Sequence, residues 1–166
     1  MSQEILDKIN AAVSEKFHHS VLSAELLYGF PVLTLKHEQA HAVLSFLRND
    51  PEWNFHFLTD LTGMQTADEK DLGVIYHLHN MQKNIRVRIK TFFSIQHPEI
   101  HTVTDLWPGA NWMERETYDF FGIRFTGHPN LKRILNVDEM DIYPLRKEYP
   151  LEDQTREDKS DKMFGR

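Results

Sequence analysis

The sequence predicts an α+β domain in which helices pack on one face of a mixed, largely antiparallel sheet, followed by an extended C-terminal tail. Three observations carry that expectation. Two early segments repeat apolar residues at helical spacing, Ile85 to Lys90 alternates strictly between apolar and basic residues, and the periods run helix, two strands, helix, three strands, helix. Strands that come in runs between helices favour an antiparallel sheet covered on one side over an alternating βαβ fold. The domain is expected over 1–143 and the tail over 144–166.

Ile5, Leu6, Ile9, Ala12 and Val13 place an amphipathic helix over 2–16, with Asp7, Lys8 and Glu15 on its solvated side. His18-His19-Ser20 ends that pattern. Val21 to Leu27 and Val32 to Leu35 read as a hairpin with Tyr28-Gly29-Phe30-Pro31 as its turn. Ala40, Val43, Leu44 and Leu47 then mark a helix over 37–48, closed by Asn49-Asp50-Pro51. Asn54 to Gly63 and Gly73 to His79 are β-prone. In Ile85 to Lys90 the side chains of Arg86, Arg88 and Lys90 point away from the face that Ile85, Val87 and Ile89 bury, so the outer face of the sheet is expected to be positive.

Trp107 to Leu135 is the densest stretch of chemistry in the chain. Asn111 followed by Glu114 has the form of an N-cap and its reciprocal partner, which starts a helix at about Trp112. Glu114 and Glu116 fall in the first turn, and Gly122 stands where a left-handed cap ends a helix. Met113, Thr117, Phe120 and Phe121 share one face as a core stripe, and Arg115 and Asp119 have the spacing of an ion pair on another. Ile123 to Thr126 alternates like a short strand, Gly127-His128-Pro129-Asn130 is turn chemistry, and Lys132-Arg133 sits in an apolar frame suited to an interface.

Composition narrows the function. The 166 residues, 40% hydrophobic and 27% charged, suit one domain plus a tail. A net charge of −6 argues against a phosphate-neutralising nucleic-acid binder. There is no cysteine, so no thiolate-ligated iron–sulfur cluster and no disulfide is expected in this chain. Neither a dinucleotide fingerprint nor a phosphate loop occurs, so neither NADH nor a flavin is expected here. His77 and His79 share a strand face, but with His18, His19, His56, His97 and His101 they form no ligand set of fixed spacing, and surface or hydrogen-bonded histidines are the expectation. No apolar run has the length of a signal peptide or membrane span, which points to the cytoplasm or to a peripheral place held by partners. From Leu151 onward the chain is charged with little to bury, and disorder in isolation is expected.

The run from Glu114 to Leu135, ERETYDFFGIRFTGHPNLKRIL, resembles the signature of the C subunit of respiratory complex I, the bacterial NADH-quinone oxidoreductase. Thr104 to Trp112 and Pro144 to Pro150 resemble the family's flanking blocks. Between them the match loosens, with Ile142-Tyr143 where relatives tend to have Gly-His. The resemblance implies a non-catalytic assembly subunit of the peripheral arm, on the cytoplasmic face of the bacterial membrane, packed against the quinone-site D subunit and the cluster-bearing B and I subunits. It also implies that NADH, FMN, iron–sulfur clusters and quinone sit on partner subunits, that this chain holds no cofactor or metal, and that alone it has no activity. Equivalent subunits of related membrane-bound hydrogenases and of ferredoxin- or coenzyme F420-dependent enzymes share the resemblance.

The partner interface is expected at Trp107, Trp112, Glu114, Arg115, Glu116 and Asp119 along the signature helix. Arg124, His128, Lys132, Arg133, Arg146 and Lys147 are expected to continue it. A free-standing enzyme built on the carboxylates and His128 is the competing class, but these residues complete no set of nucleophile, base and oxyanion donors.

Overall fold

A computed structural model describes residues 2–150. Its elements are α1 (Ser2–Lys16), β1 (Val21–Leu27), β2 (Phe30–Lys36), α2 (His37–Asn49), β3 (Phe57–Gln65), β4 (Asp71–Asn80), β5 (Ile85–Ser94), β6 (Glu99–His101), α3 (Ala110–Phe121) and β7 (Arg124–Thr126). The five long strands form one sheet in the order β1-β2-β5-β4-β3, antiparallel except for the β2–β5 pair. That is the α+β arrangement the periods predict. The crossover arises because α2 carries the chain from β2 across the sheet to its far edge at β3, from which β4 and β5 return as a meander.

The helices share one face of the sheet. α1 lies against β1 and β2, α2 against β2 and β5, and α3 against β3. Between the layers Leu6, Ile9 and Val13 meet Val43, Leu44, Leu47, Leu33, Leu35, Val87 and Ile89 in a continuous core. Full burial of each such side chain contributes roughly 1.5–3 kcal/mol. α3 can come close because β3 has Gly63 at the crossing, where a Cβ would stand 2.6 Å from the Phe121 ring and 2.9 Å from the Thr117 methyl.

Several boundaries move. The hairpin turn is only Tyr28-Gly29, both at positive φ (51° and 81°), so Phe30 and Pro31 belong to β2. β3 begins at Phe57, since Asn54 takes a positive φ of 40° and Trp53 and Phe55 are buried beneath it. β6 has no counterpart in the sequence reading; three residues long, it pairs in parallel with β7, a partner more than twenty positions away. Among the described residues no helix is long and apolar enough to cross a membrane. The tail expected to be disordered from residue 151 lies outside the described residues.

Candidate functional site: the α3 clamp

α3 starts at Ala110, two residues early, with Gly109 as an N-cap that makes no side-chain bond. The capping box is therefore corrected. Asn111 lies inside the helix, and Glu114 turns inward, fully buried, where one oxygen accepts the Thr102 hydroxyl at 2.6 Å and the other the Val103 N–H at 2.7 Å. Burial pushes this carboxyl up to about 7, against the lowering effect of those two donors. Nearby, the Tyr76 hydroxyl is buried with no partner among the described residues, and burial, with the Glu114 charge second, raises its pKa.

His128 closes the same corner. Its Nε2–H donates to the Asn111 carbonyl at 3.2 Å, and its Nδ1 accepts the Asn130 N–H at 3.0 Å, which fixes a neutral ring. Burial, and secondarily Arg115, hold its pKa below the ordinary value. Its Nε2 lies 4.0 Å from Glu114 Oε2, so the two are neighbours rather than an ion pair.

The expected Arg115–Asp119 pair is also corrected. Arg115 donates to the carbonyls of Lys132 and Arg133, both at 3.1 Å, and stacks 5.0 Å from the Trp112 ring. Asp119 accepts the backbone N–H groups of Ile134, Leu135 and Asn136, the Asn136 amide, and the Arg133 guanidinium at 2.8 Å. Burial alone would raise its pKa, but these donors reverse the sign and hold it well below the carboxylate range. Arg133 continues the network to the carbonyls of Met140 and Ile142. Two side chains on α3 thus fasten an irregular segment that has no ladder of its own to satisfy its backbone.

The last described residues are laid back on this block rather than leaving it. Leu145 N–H bonds the Phe120 carbonyl, Arg146 the Phe121 carbonyl at 2.7 Å, and Lys147 reaches Gln65 and Thr66 on the β3 side. The Tyr143 ring sits between Arg133 and Arg146, 5.2 and 4.7 Å from their guanidinium carbons, and covers Gly122. A Cβ at Gly122, whose φ is +72°, would stand 2.5 Å from that ring. Gly122→Ala should therefore cost about 1–3 kcal/mol in a urea unfolding series, through backbone strain and the displaced ring together.

The expected interface residues divide accordingly. Trp107 is buried, its Nε1–H on the Phe55 carbonyl at 3.2 Å. With Glu114, Arg115, Asp119 and His128 it serves the chain's own packing. Arg133 and Arg146 are mostly buried in the clamp. Trp112, Glu116, Arg124, Lys132 and Lys147 remain exposed. Of the core stripe, Thr117 is buried, Met113 and Phe121 are partly buried and pack against the core, and only Phe120 stands apart from it.

The sequence reading reached Leu135, in the apolar frame of Lys132-Arg133, but missed Val137, Ile142 and Leu145; the clamped segment leaves these four 38 to 68% exposed. Their signal was an aperiodic set of apolar residues within a loop. Apolar groups held at the surface of a rigid, non-repeating segment are what an interaction surface provides.

The family model described as "Respiratory-chain NADH dehydrogenase, 30 Kd subunit" matches residues 33–155. The C subunit of NADH-quinone oxidoreductase from Xanthobacter autotrophicus is 39% identical over 148 residues, 89% of this chain and 70% of that protein. Its namesake from Citrifermentans bemidjiense is also 39% identical, over 87% of this chain and 89% of its own length. Among solved structures, a trypsin-resistant fragment (1–134) of Nqo5 aligns with a TM-score of 0.62 at 27% identity, over 78% of this chain and 98% of that one. A chain of an archaeal membrane-bound sulfane sulfur reductase aligns with a TM-score of 0.73 over 90% of this chain and 85% of that one; at 23% identity this likeness concerns the fold alone.

Proposed function

The chain belongs to the respiratory-chain NADH dehydrogenase 30 kDa subunit family, and from that membership we propose that it is the non-catalytic assembly subunit of a proton-translocating NADH:quinone oxidoreductase. It works in a peripheral arm on the cytoplasmic face of the membrane, held there by partners. The observation that carries the reading is the α3 clamp: Arg115 and Asp119 turn residues 132–136 into a rigid surface instead of lining a reaction centre.

The partners in this reading are the quinone-site D subunit and the cluster-bearing B and I subunits. Trp112, Glu116, Arg124, Lys132 and Lys147 meet them, together with the exposed apolar residues of the clamped segment. The chain holds no metal, flavin, cluster or quinone and has no turnover of its own. Its contribution is positional: a rigid mount keeps the separation between clusters and quinone constant in neighbours that carry the electrons. The curated relatives' names favour NADH as the donor of the parent complex over hydrogenase-type relatives.

Arg115→Ala releases two carbonyls of the clamped segment and the cation over Trp112. The expected result is less assembled complex on blue-native gels of the membrane fraction, by about fivefold or more, with NADH:quinone turnover per assembled complex within about twofold of wild type. Normal assembly with lost turnover would instead indicate a catalytic role.

A further inference from the structure

The sheet face opposite the helices carries no covering element among the described residues, and its side chains fall into rows. One row runs Glu25, Val32, Arg88, His77 and Asp60 across all five strands, and beside it stands Ser23, Thr34, Lys90, Ile75 and Thr62. Its charges are mostly balanced internally. Arg88 Nε–H donates to His77 Nε2 at 2.8 Å, His77 Nδ1 lies 3.5 Å from Asp60, and Lys90 lies 4.0 Å from Glu25.

Arg86 breaks this balance. It is exposed, has no hydrogen bond or ion pair among the described residues, and is paired across the strands with His79, which in turn pairs with Phe57. His79 keeps a buried Nε2 with no partner among the described residues, and Phe57 is 45% exposed. Beside Arg86 a cavity of 180 Å³ opens between Phe30, Asp60, His77, Leu78, Val87 and Arg88. Arg88 is preorganised at its mouth, its Nε held by His77 and its carbon 5.9 Å from the Phe30 ring, so both terminal nitrogens are left for a ligand.

We propose that Arg86 and Arg88 form a seat for an aspartate or glutamate side chain of a neighbouring polypeptide, so that the bare sheet face is a second docking surface, across the sheet from the α3 clamp. Two guanidiniums side by side suit bidentate recognition of a carboxylate. The cavity is smaller than the roughly 300 Å³ at which small-molecule pockets begin, which suits one inserted side chain rather than a free metabolite. The Phe30 ring in its wall fits the methylene stem of such a side chain, and Asp60 on the rim disfavours a dianion such as phosphate. In a chain of net charge −6, this unneutralised positive spot gives an acidic partner one place to approach. The proposal rests on the assembly reading above.

The test is phenylglyoxal labelling of arginine with mass-spectrometric readout, on the full chain alone and within the purified intact complex. Arg86 should react at least about tenfold more slowly in the complex, and Arg86→Glu should lower complex recovery by about tenfold while Arg86→Lys stays within about threefold of wild type. Circular dichroism of the free Arg86→Glu chain checks its fold; should it fail, the labelling still decides. Equal labelling in the two states overturns the proposal, as does wild-type recovery by a folded Arg86→Glu chain. Protection of the free chain by about 1 mM inorganic phosphate would make the seat a phosphate site and overturn the polypeptide assignment. A complex recovered with Arg86 unprotected removes this proposal alone, whereas no complex with the wild-type chain removes the assembly reading and this one with it.

Discussion

Asp119→Ala is expected to lower the thermal stability of the isolated chain by roughly 10 °C, equivalent to about 3–5 kcal/mol for breaking a buried, hydrogen-bonded charge pair in a domain of this size. The substitution leaves three backbone N–H groups and the Asn136 amide without their acceptor, and strips Arg133 of its counter-charge while it keeps its backbone carbonyls. Amide exchange at Ile134, Leu135 and Asn136 should accelerate first, before the sheet loosens, because those N–H groups have no ladder partner. Glu116→Ala, an exposed neighbour on the same helix, should change the melting temperature by less than about 2 °C. The pH dependence has a defined sign. Since the folded carboxyl is held below its unfolded value, Asp119 stabilises fully above the unfolded pKa and loses that contribution as pH falls through the lower, folded one. The gap between wild type and Asp119→Ala should therefore be widest near neutrality and close in strong acid. A gap that widens on acidification would mean that Asp119 is protonated in the clamp.

Glu114 is expected to behave in the opposite way. Its carboxyl moves from the ordinary 4.5 up to about 7 in the fold, so between these values the folded chain holds a proton that the unfolded chain releases. Stability is then unaffected below about 4.5, falls as pH rises, and carries the full cost above about 7, on the order of 3 kcal/mol. Glu114→Gln should flatten that slope and melt several degrees above wild type at pH 8. The amide oxygen can still accept from Val103, and the amide nitrogen can donate to a Thr102 hydroxyl that turns toward Thr104, 2.9 Å away. Thermal melts of both proteins from pH 5 to 8 decide the matter. Parallel curves would mean that Glu114 is ionised throughout.

The two carboxylates sit on one short helix and are both fully buried, yet burial prevails at Glu114 and hydrogen bonding at Asp119. The difference is in the donors: a hydroxyl and one N–H for the first, three N–H groups, an amide and a guanidinium for the second. Nothing in the i, i+4 spacing of Arg115 and Asp119 distinguishes that outcome from an exposed ion pair. The donors come from segments 11 to 17 positions away in the chain, which a local pattern does not encode.

The elements themselves were legible because their signal is periodic. The stripe Leu6, Ile9, Val13 and the set Ala40, Val43, Leu44, Leu47 are buried as their spacing requires, and Val87 and Ile89 face the core while Arg86 and Arg88 face away. Gly122 ends α3 in the left-handed region as its place predicts. Strand ends were less legible, since β5 continues to Ser94 through Thr91, which is fully buried, and Phe93, which lack the alternating charges that marked its start. β6 was illegible: with three residues, its strand character comes only from pairing with β7.

By itself the sequence determined the class of fold, the membership of the family, and which face of each early element meets the core, because apolar burial acts on every residue at a period the backbone sets. The tertiary structure alone decided the fate of the charged residues of α3. A carboxylate or guanidinium on a helix is equally at home in water, in a partner or in its own chain. Only the positions of Thr102, Val103 and residues 132–136 turned Glu114, Arg115 and Asp119 inward and left Trp112, Lys132 and Leu135 at the surface.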